Sequence, residues 1–313
     1  MHVTVILCTY NGCQTLPKAL SSVAASVMPS SVEWEVLVVD NNSQDRTPEV
    51  VEDFCLRFPG RFRYLFEPQQ GKSYALNSGI RNATGNILAF IDDDVTVDPA
   101  WLANLTSSLH CGGWQGAGGR IILLWPDKVP NWVTMDGPRA RHGLPGFDQG
   151  EVAKELDGPP FGTNMAFRRE MFEKYGDFRT DLGPSPYSQI RAEDTEFGRR
   201  LIAAGVKLRY EPSAVVFHPV PEERMRKNYL LQWWFDNGRA QARHFQSEPL
   251  HLSCALLAWM MRWALAHEPR LRFYRKLVVY EKTGELLEYS RLRLFAGRSS
   301  DLQTPKAKQE RTV

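Results

Sequence analysis

Three consecutive carboxylates, Asp92-Asp93-Asp94, follow directly on the apolar run Ile87-Leu88-Ala89-Phe90-Ile91. Adjacent acids repel one another, and packing gives no reason to gather them. A bound cation removes the repulsion, and hard oxygen ligands suit Mg2+ or Mn2+, with Mg2+ commonly joining one or two carboxylates to substrate phosphates. The stretch therefore points to a metal–diphosphate site. An acidic loop with a helix cap at Asp98 is the plainer alternative and stays open. A second acidic pair, Glu193-Asp194, opens a helical pattern whose apolar face is Phe197, Leu201 and Ile202. Acids in a first turn also suit the helix dipole, worth about 0.3–1 kcal/mol, so this pair alone does not demand chemistry. His218 ends the apolar run Ala214–Phe217; taken alone, such a histidine is more often structural than a ligand. The stretch Gly158–Arg168 carries glycines that permit close backbone approach to a ligand, or simply turn into a strand.

These residues need elements to bring them together. Val3–Cys8, Glu35–Val39, Phe62–Phe66 and the acidic run read as four buried strands. Helical patterns follow from Leu16, Thr47 and Gly71-Lys72-Ser73, with Pro17 tolerated in a first turn. Continuous apolar strands alternating with helices give βαβ units and a parallel sheet covered on both faces. With right-handed crossovers, Thr9 to Asn11, Asp40, Lys72 and Asp92 to Asp94 collect at the carboxyl ends of the strands, where such sheets bind ligands. Further strands are predicted at Ala117–Leu124, Val206–Tyr210 and Ala214–Phe217. The segment Trp125–Asp157 is too long and too rich in Pro, Gly and Trp for an ordinary connection, and reads as substrate-shaping.

Composition bounds the class. The 313 residues suit one large domain with an appendage, and 43% hydrophobic content is ample for a core. A net charge of only +2 gives no footprint for nucleic acid. The distribution is uneven: Arg262–Val313 holds 12 Lys/Arg against 6 Asp/Glu, a net of +6, so the rest, with 26 against 30, carries −4. Five scattered cysteines without a CxxC pair form no disulfide framework and point to a reducing, cytoplasmic setting. The N-terminus lacks the charged and cleavable features of a signal peptide. Leu250–Ala266 contains His251 and Arg262, so no transmembrane helix is expected. The absence of GxGxxG after the first strand and of GxxxxGK[ST] disfavours dinucleotide and P-loop sites.

Together the blocks resemble an inverting family 2 glycosyltransferase. They are Thr9-Tyr10-Asn11, Val38-Val39-Asp40-Asn41-Asn42-Ser43, Gly71-Lys72-Ser73-Tyr74-Ala75-Leu76-Asn77, Phe90-Ile91-Asp92-Asp93-Asp94, Gly162-Thr163-Asn164-Met165-Ala166-Phe167, Glu193-Asp194 and Val216-Phe217-His218. The resemblance implies an α/β GT-A fold: a Rossmann-like, mostly parallel sheet with helices on both faces, here with a C-terminal helical extension. It implies Asp40 at the nucleotide base, with Thr9, Tyr10 and Asn11 lining the pocket and Lys72 near the nucleotide or its phosphates. Asp92 would face the ribose, with Asp93 beside it. Asp94 would ligate Mg2+ or Mn2+, with Asp92 adjoining and His218 contacting the metal or diphosphate. Gly162 to Asn164 would border donor sugar and acceptor. Asp194 would be the general base and Glu193 its neighbour.

The implied activity is transfer of a sugar from a nucleotide-diphospho-sugar, UDP-linked by preference, to an acceptor hydroxyl of a glycan or glycolipid. Cell-envelope polysaccharide assembly fits that chemistry. Gln232-Trp233-Trp234 departs from the Gln-x-x-Arg-Trp element of processive relatives, so a single addition is expected. A sugar-nucleotide pyrophosphorylase is disfavoured because the loop Thr9–Gln14 has no basic residue. A catalytically silent nucleotide-sugar-binding or scaffold protein on the same fold is the competing reading, disfavoured by intact Asp92, Asp94 and Asp194. The expected organisation is a catalytic domain over 1–221, a helical region over 222–298 and a disordered tail over 299–313. Three helices are predicted in the second part: Glu222–Phe245, Leu250–Ala266 and one after Pro269. Their aromatic stripes and basic flank fit either peripheral contact with anionic lipid at the cytoplasmic face or packing on the catalytic domain.

Overall fold

The structure, a computed structural model, describes residues 2–111, 113–130, 144, 146–186, 188–244 and 249–300. It divides into two compact units, Met1–Arg226 and Lys227–Val313. The tail after 300 and much of the Trp125–Asp157 segment lie outside the described residues.

The first unit is built on one sheet. Its first half is the expected βαβ series: β1 (His2–Thr9), α1 (Leu16–Ala24), β2 (Glu33–Asp40), α2 (Thr47–Arg57), β3 (Phe62–Phe66), α3 (Lys72–Asn82) and β4 (Ile87–Asp92). β1 lies between β2 and β4, and β3 flanks β2, all parallel. The elements that follow are β5 (Thr96–Val97), α4 (Trp101–Cys111), β6 (Gly116–Leu124), β7 (Lys154–Glu155), β8 (Met165–Arg168), α5 (Glu170–Tyr175), α6 (Glu193–Ala203) and β9 (Leu208–Pro219). The strand order is β3-β2-β1-β4-β8-β6-β9-β5, with β7 also on β9. β8 runs antiparallel to both β4 and β6, so the second half of the sheet is mixed while the first is parallel. Successive residues of β1 point to opposite faces, as the pleat requires. Val3, Val5 and Leu7 pack under α1, α2 and α4, and Ile6 joins Leu76, Phe172 and Phe197 of α3, α5 and α6.

Two expectations are corrected. Val206–Tyr210 and Ala214–Phe217 are one strand, β9, whose register against β6 jumps between Gly119 and Arg120. The intervening Glu211-Pro212-Ser213 reads as a turn in sequence but is absorbed as an irregularity. The predicted helix from Glu222 is instead a 3-10 turn, Glu222–Met225, with the α-helix starting at Lys227. That turn belongs to the first compact unit, which runs to Arg226.

The second unit comprises α7 (Lys227–His244), α8 (Pro249–Ala264) and α9 (Pro269–Ser300). α7 and α9 touch backbone to backbone: a Cβ on Gly238 would stand 1.9 Å from the Glu281 carbonyl oxygen, and one on Gly284 would stand 2.0 Å from that of Phe235. Beside this contact the buried Glu288 carboxylate accepts from Arg239 Nε at 3.0 Å and from Arg243 Nη2 at 2.6 Å. Leu231, Trp234 and Leu277 form the apolar centre.

Candidate active site

β4 delivers its acids to the sheet edge because Ile87 to Ile91 are wholly consumed by the core, and the strand ends at Asp92. Asp92 is the hub. Its Oδ1 accepts from Lys72 Nζ at 2.7 Å, and its Oδ2 accepts from Thr163 Oγ1 at 2.5 Å. Lys72 stands at the start of α3, just after Gly71, whose φ of 140° lets the chain turn in. Lys72 Nζ also lies 3.7 Å from Glu193 Oε1. Thr163 adjoins Gly162, whose N–H donates to Asp194 Oδ2 at 2.6 Å. Asp194 Oδ1 accepts from Thr195 N–H at 2.6 Å. Two routes thus tie the β4 acids to the Glu193-Asp194 pair, one through Lys72 and one through Gly162-Thr163.

α6 holds that pair by its other end. Phe197, one turn on, stacks face to face on Phe172 at 4.5 Å and meets Phe167 edge-on at 5.2 Å. Gly198 lets Pro159 pack directly on the helix, since a Cβ there would sit 2.5 Å from that of Pro159. Ala192, immediately before Glu193, has φ of 84°. A left-handed alanine costs about 1 kcal/mol or more and persists only where its surroundings impose it.

Burial would raise the carboxyl of Asp92, but Lys72 overrides it and holds the group down at about 2. Burial likewise opposes the charge on Lys72, yet Asp92 and Glu193 push it well above the usual lysine range. Glu193, 4% exposed, is pushed up to about 7 by burial, which the more distant Lys72 only partly offsets, with Asp194 adding to the rise. Asp93 is raised to about 6 by burial and then by Asp94 and Asp92, against a 2.5 Å hydrogen bond from Thr9 Oγ1. The folded Glu193 carboxyl therefore binds its proton more tightly than in the unfolded chain. Its stabilising contribution is complete below about pH 4.3 and is lost as pH climbs through about 7. Glu193→Gln should melt progressively higher than the parent chain as pH rises from about 5 to about 8. A melting difference that is flat across that range would mean Glu193 does not titrate there.

Asp94 faces a different set. His218, 2% exposed, brings its Nδ1 2.7 Å from the Pro219 carbonyl oxygen. A carbonyl can only accept, so Nδ1 carries a proton, and Nε2 is left turned toward Asp94 and Arg224. Nε2 lies 3.6 Å from Asp94 Oδ1. Between them reaches Arg224 from the 3-10 turn, with Nη1 3.5 Å from His218 Nε2 and Nη2 3.4 Å from Asp94 Oδ2. A carboxylate oxygen and an imidazole nitrogen converging at one point are ligand types that a divalent cation such as Mg2+ or Mn2+ accepts. Among the described residues no group of three His, Cys, Asp or Glu could hold a metal by itself, so any such ion would take further ligands from substrate.

The remaining candidates divide. Asn11, with φ of 52°, ties the β1 loop to the β2 loop: its N–H donates to Ser43 Oγ at 2.9 Å, and its Oδ1 accepts from Gln44 N–H at 2.8 Å. Tyr10 is 45% exposed beside them. Asp40, expected at a nucleotide base, is completely buried; Ser43 N–H and Tyr64 OH occupy its oxygens at 2.9 and 2.8 Å. Asn164, expected to border the donor sugar, faces the sheet interior. Its side chain is completely buried, accepting from Trp101 Nε1 at 2.8 Å and donating to the Arg120 and Ala214 carbonyls at 2.9 and 2.8 Å. Those carbonyls lie at the β6–β9 register jump, so Asn164 closes a fault in the sheet. Thr163, within the Gly162 to Asn164 stretch expected at the site, reaches Asp92; Arg224 was missed and carries no local signal.

With this geometry in view, residues 4–176 match the family described as glycosyl transferase family 2. The chain belongs to that family. Succinoglycan biosynthesis protein ExoM of Rhizobium meliloti (strain 1021) is 29% identical over 78% of this chain and 75% of its own. The fold is that of two solved structures. Mannosyltransferase PcManGT from Pyrobaculum calidifontis, in complex with GDP-Man and Mn2+, covers 97% of this chain and 81% of its own at 21% identity and TM-score 0.56. S. aureus TarS 1-349, in complex with UDP-GlcNAc, covers 94% and 92% at 15% identity and TM-score 0.55.

Proposed function

We propose that this family 2 glycosyltransferase moves a sugar from a nucleotide-diphospho-sugar to an acceptor hydroxyl by one direct, inverting displacement, as a single addition in surface polysaccharide or glycolipid assembly. The observation that carries the reading is the hydrogen-bonded circuit from Asp92 through Gly162-Thr163 to Asp194, which sets an acid for the donor beside an acid for the acceptor. The name of the ExoM relative supports the polysaccharide setting.

In this reading Asp194 takes the proton from the acceptor hydroxyl as the oxygen attacks the anomeric carbon. Each of its oxygens is already aimed by an N–H; Oδ1 also accepts from Thr195 Oγ1 at 3.2 Å, and Oδ2 retains a lone pair for the acceptor proton. Glu193 and Lys72 keep the pair oriented. Tyr10, exposed beside the ordered β1–β2 loops, is the residue offered to the nucleotide base, while Asp40 and Asn11 shape that wall from behind. Asp94 and His218 would hold a divalent cation, which would supply Lewis-acid charge to the leaving diphosphate. Arg224 holds the same two side chains and would turn its guanidinium to the phosphates when they arrive. Two structural neighbours bind different nucleotides, GDP-Man and UDP-GlcNAc, so a screen must span both bases; the uracil form is our preference.

The test is nucleoside diphosphate release from a panel of UDP- and GDP-sugars with Mn2+ or Mg2+. Chelation should stop turnover, and Mn2+ or Mg2+ should restore it. Asp94→Ala should abolish the metal's enhancement of nucleoside diphosphate binding in calorimetry while leaving the melting temperature near that of the parent. Turnover indifferent to chelator would overturn the metal role.

A further inference from the structure

α8 carries large apolar residues on its outer side as well as on its packed side. Leu252 is buried against Ala242 and Tyr289, and Trp259 and Trp263 are half-buried. The opposite side should be polar if it met only water. Instead Leu250, Leu257, Met261 and Leu265 are 60 to 72% exposed, with Cys254 exposed among them. Spacings of seven, four and four residues set them on one stripe, about 22 Å long at 1.5 Å per residue. A continuous exposed stripe of this kind marks a contact surface.

Charge decides what covers it. From Leu250 to Lys276 there are five Lys/Arg, Arg262, Arg270, Arg272, Arg275 and Lys276, against one acid, Glu268, a net of +4. Arg262, Arg270 and Arg272 are exposed. Arg262 lies over the Trp259 ring at 4.9 Å, a cation–aromatic pair suited to the level of lipid headgroups. Two copies meeting through this face would bring like charges together, which is costly. An anionic surface meets both the stripe and its basic flank. Spanning is not the mode, since no helix among the described residues is long and apolar enough to cross a membrane; a 16-residue helix with one apolar face and cationic edges lies in the interface.

We propose that the outer face of α8 docks on an anionic phospholipid bilayer, with Leu250, Leu257, Met261 and Leu265 entering the acyl boundary and Arg262, Arg270 and Arg272 meeting the headgroups. This rests on no reading of the donor site. The test is sedimentation of the full chain with phosphatidylcholine vesicles, with and without phosphatidylglycerol. The parent chain should bind the anionic vesicles and release as salt rises. Leu257→Glu with Met261→Glu, both at exposed positions and checked for an unchanged melting temperature, should weaken binding by about tenfold or more. Replacing Arg262, Arg270 and Arg272 by Gln should cost about fivefold for each and flatten the salt dependence. No binding by the parent chain would overturn the proposal, as would binding unaffected by the double glutamate variant. A parent dimer that the glutamates convert to monomer, without vesicle binding, would make the stripe an interface between copies and overturn it equally.

Discussion

Asp194→Asn should lower kcat by about 10² to 10⁴, the range that positioned general bases supply, while leaving the donor's dissociation constant unchanged. The amide removes the proton acceptor without altering volume. It cannot accept from both Gly162 N–H and Thr195 N–H, because only one of its two terminal atoms is an oxygen. A small loss of stability is therefore expected beside the catalytic loss, and melting and donor binding must be read separately. Near-normal turnover would remove Asp194 from the base role and leave the Gly162–Asp194 bond as a purely structural clasp.

Asn164→Leu should have the largest effect on folding. Leucine fills nearly the same space but leaves the Trp101 indole N–H and the Arg120 and Ala214 carbonyls without their partner in a site closed to water. An abandoned buried polar group costs about 1–3 kcal/mol, and three sharing one site should cost about 3–6 kcal/mol after overlap. For a unit of this size that lowers the melting temperature by about 10 °C or more. An unchanged melting temperature with altered donor preference would return Asn164 to the donor pocket.

The difference between these two residues explains how far the sequence could be read. β1 to β4 are continuous apolar runs between clear helix starts, and a parallel sheet sends their ends to one edge, so Thr9, Lys72 and the β4 acids could be gathered before any coordinates. Asp194 could be reached because a helix start is a local feature. The packing of Asn164 could not be read, because it is set by a register jump between β6 and β9, and β9 is interrupted in sequence by Pro212 and Ser213. Asp40 shares that difficulty: its carboxylate is consumed by Tyr64, a residue of the neighbouring strand. Arg224 follows a proline in a 3-10 turn that carries no periodicity, and only the coordinates bring it to Asp94.

The backbone contact of α7 and α9 at Gly238 and Gly284 has a bearing on inheritance. No side chain larger than hydrogen fits at either position without prising α7 from α9, so a single replacement at one cannot be absorbed by a change at the other. That crossing tolerates almost no drift, whereas α8, which rests on α9 through few buried groups, is free to vary its outer face. A lineage could therefore retune which surface it settles on by exchanging residues along α8 while the helical crossing stays put.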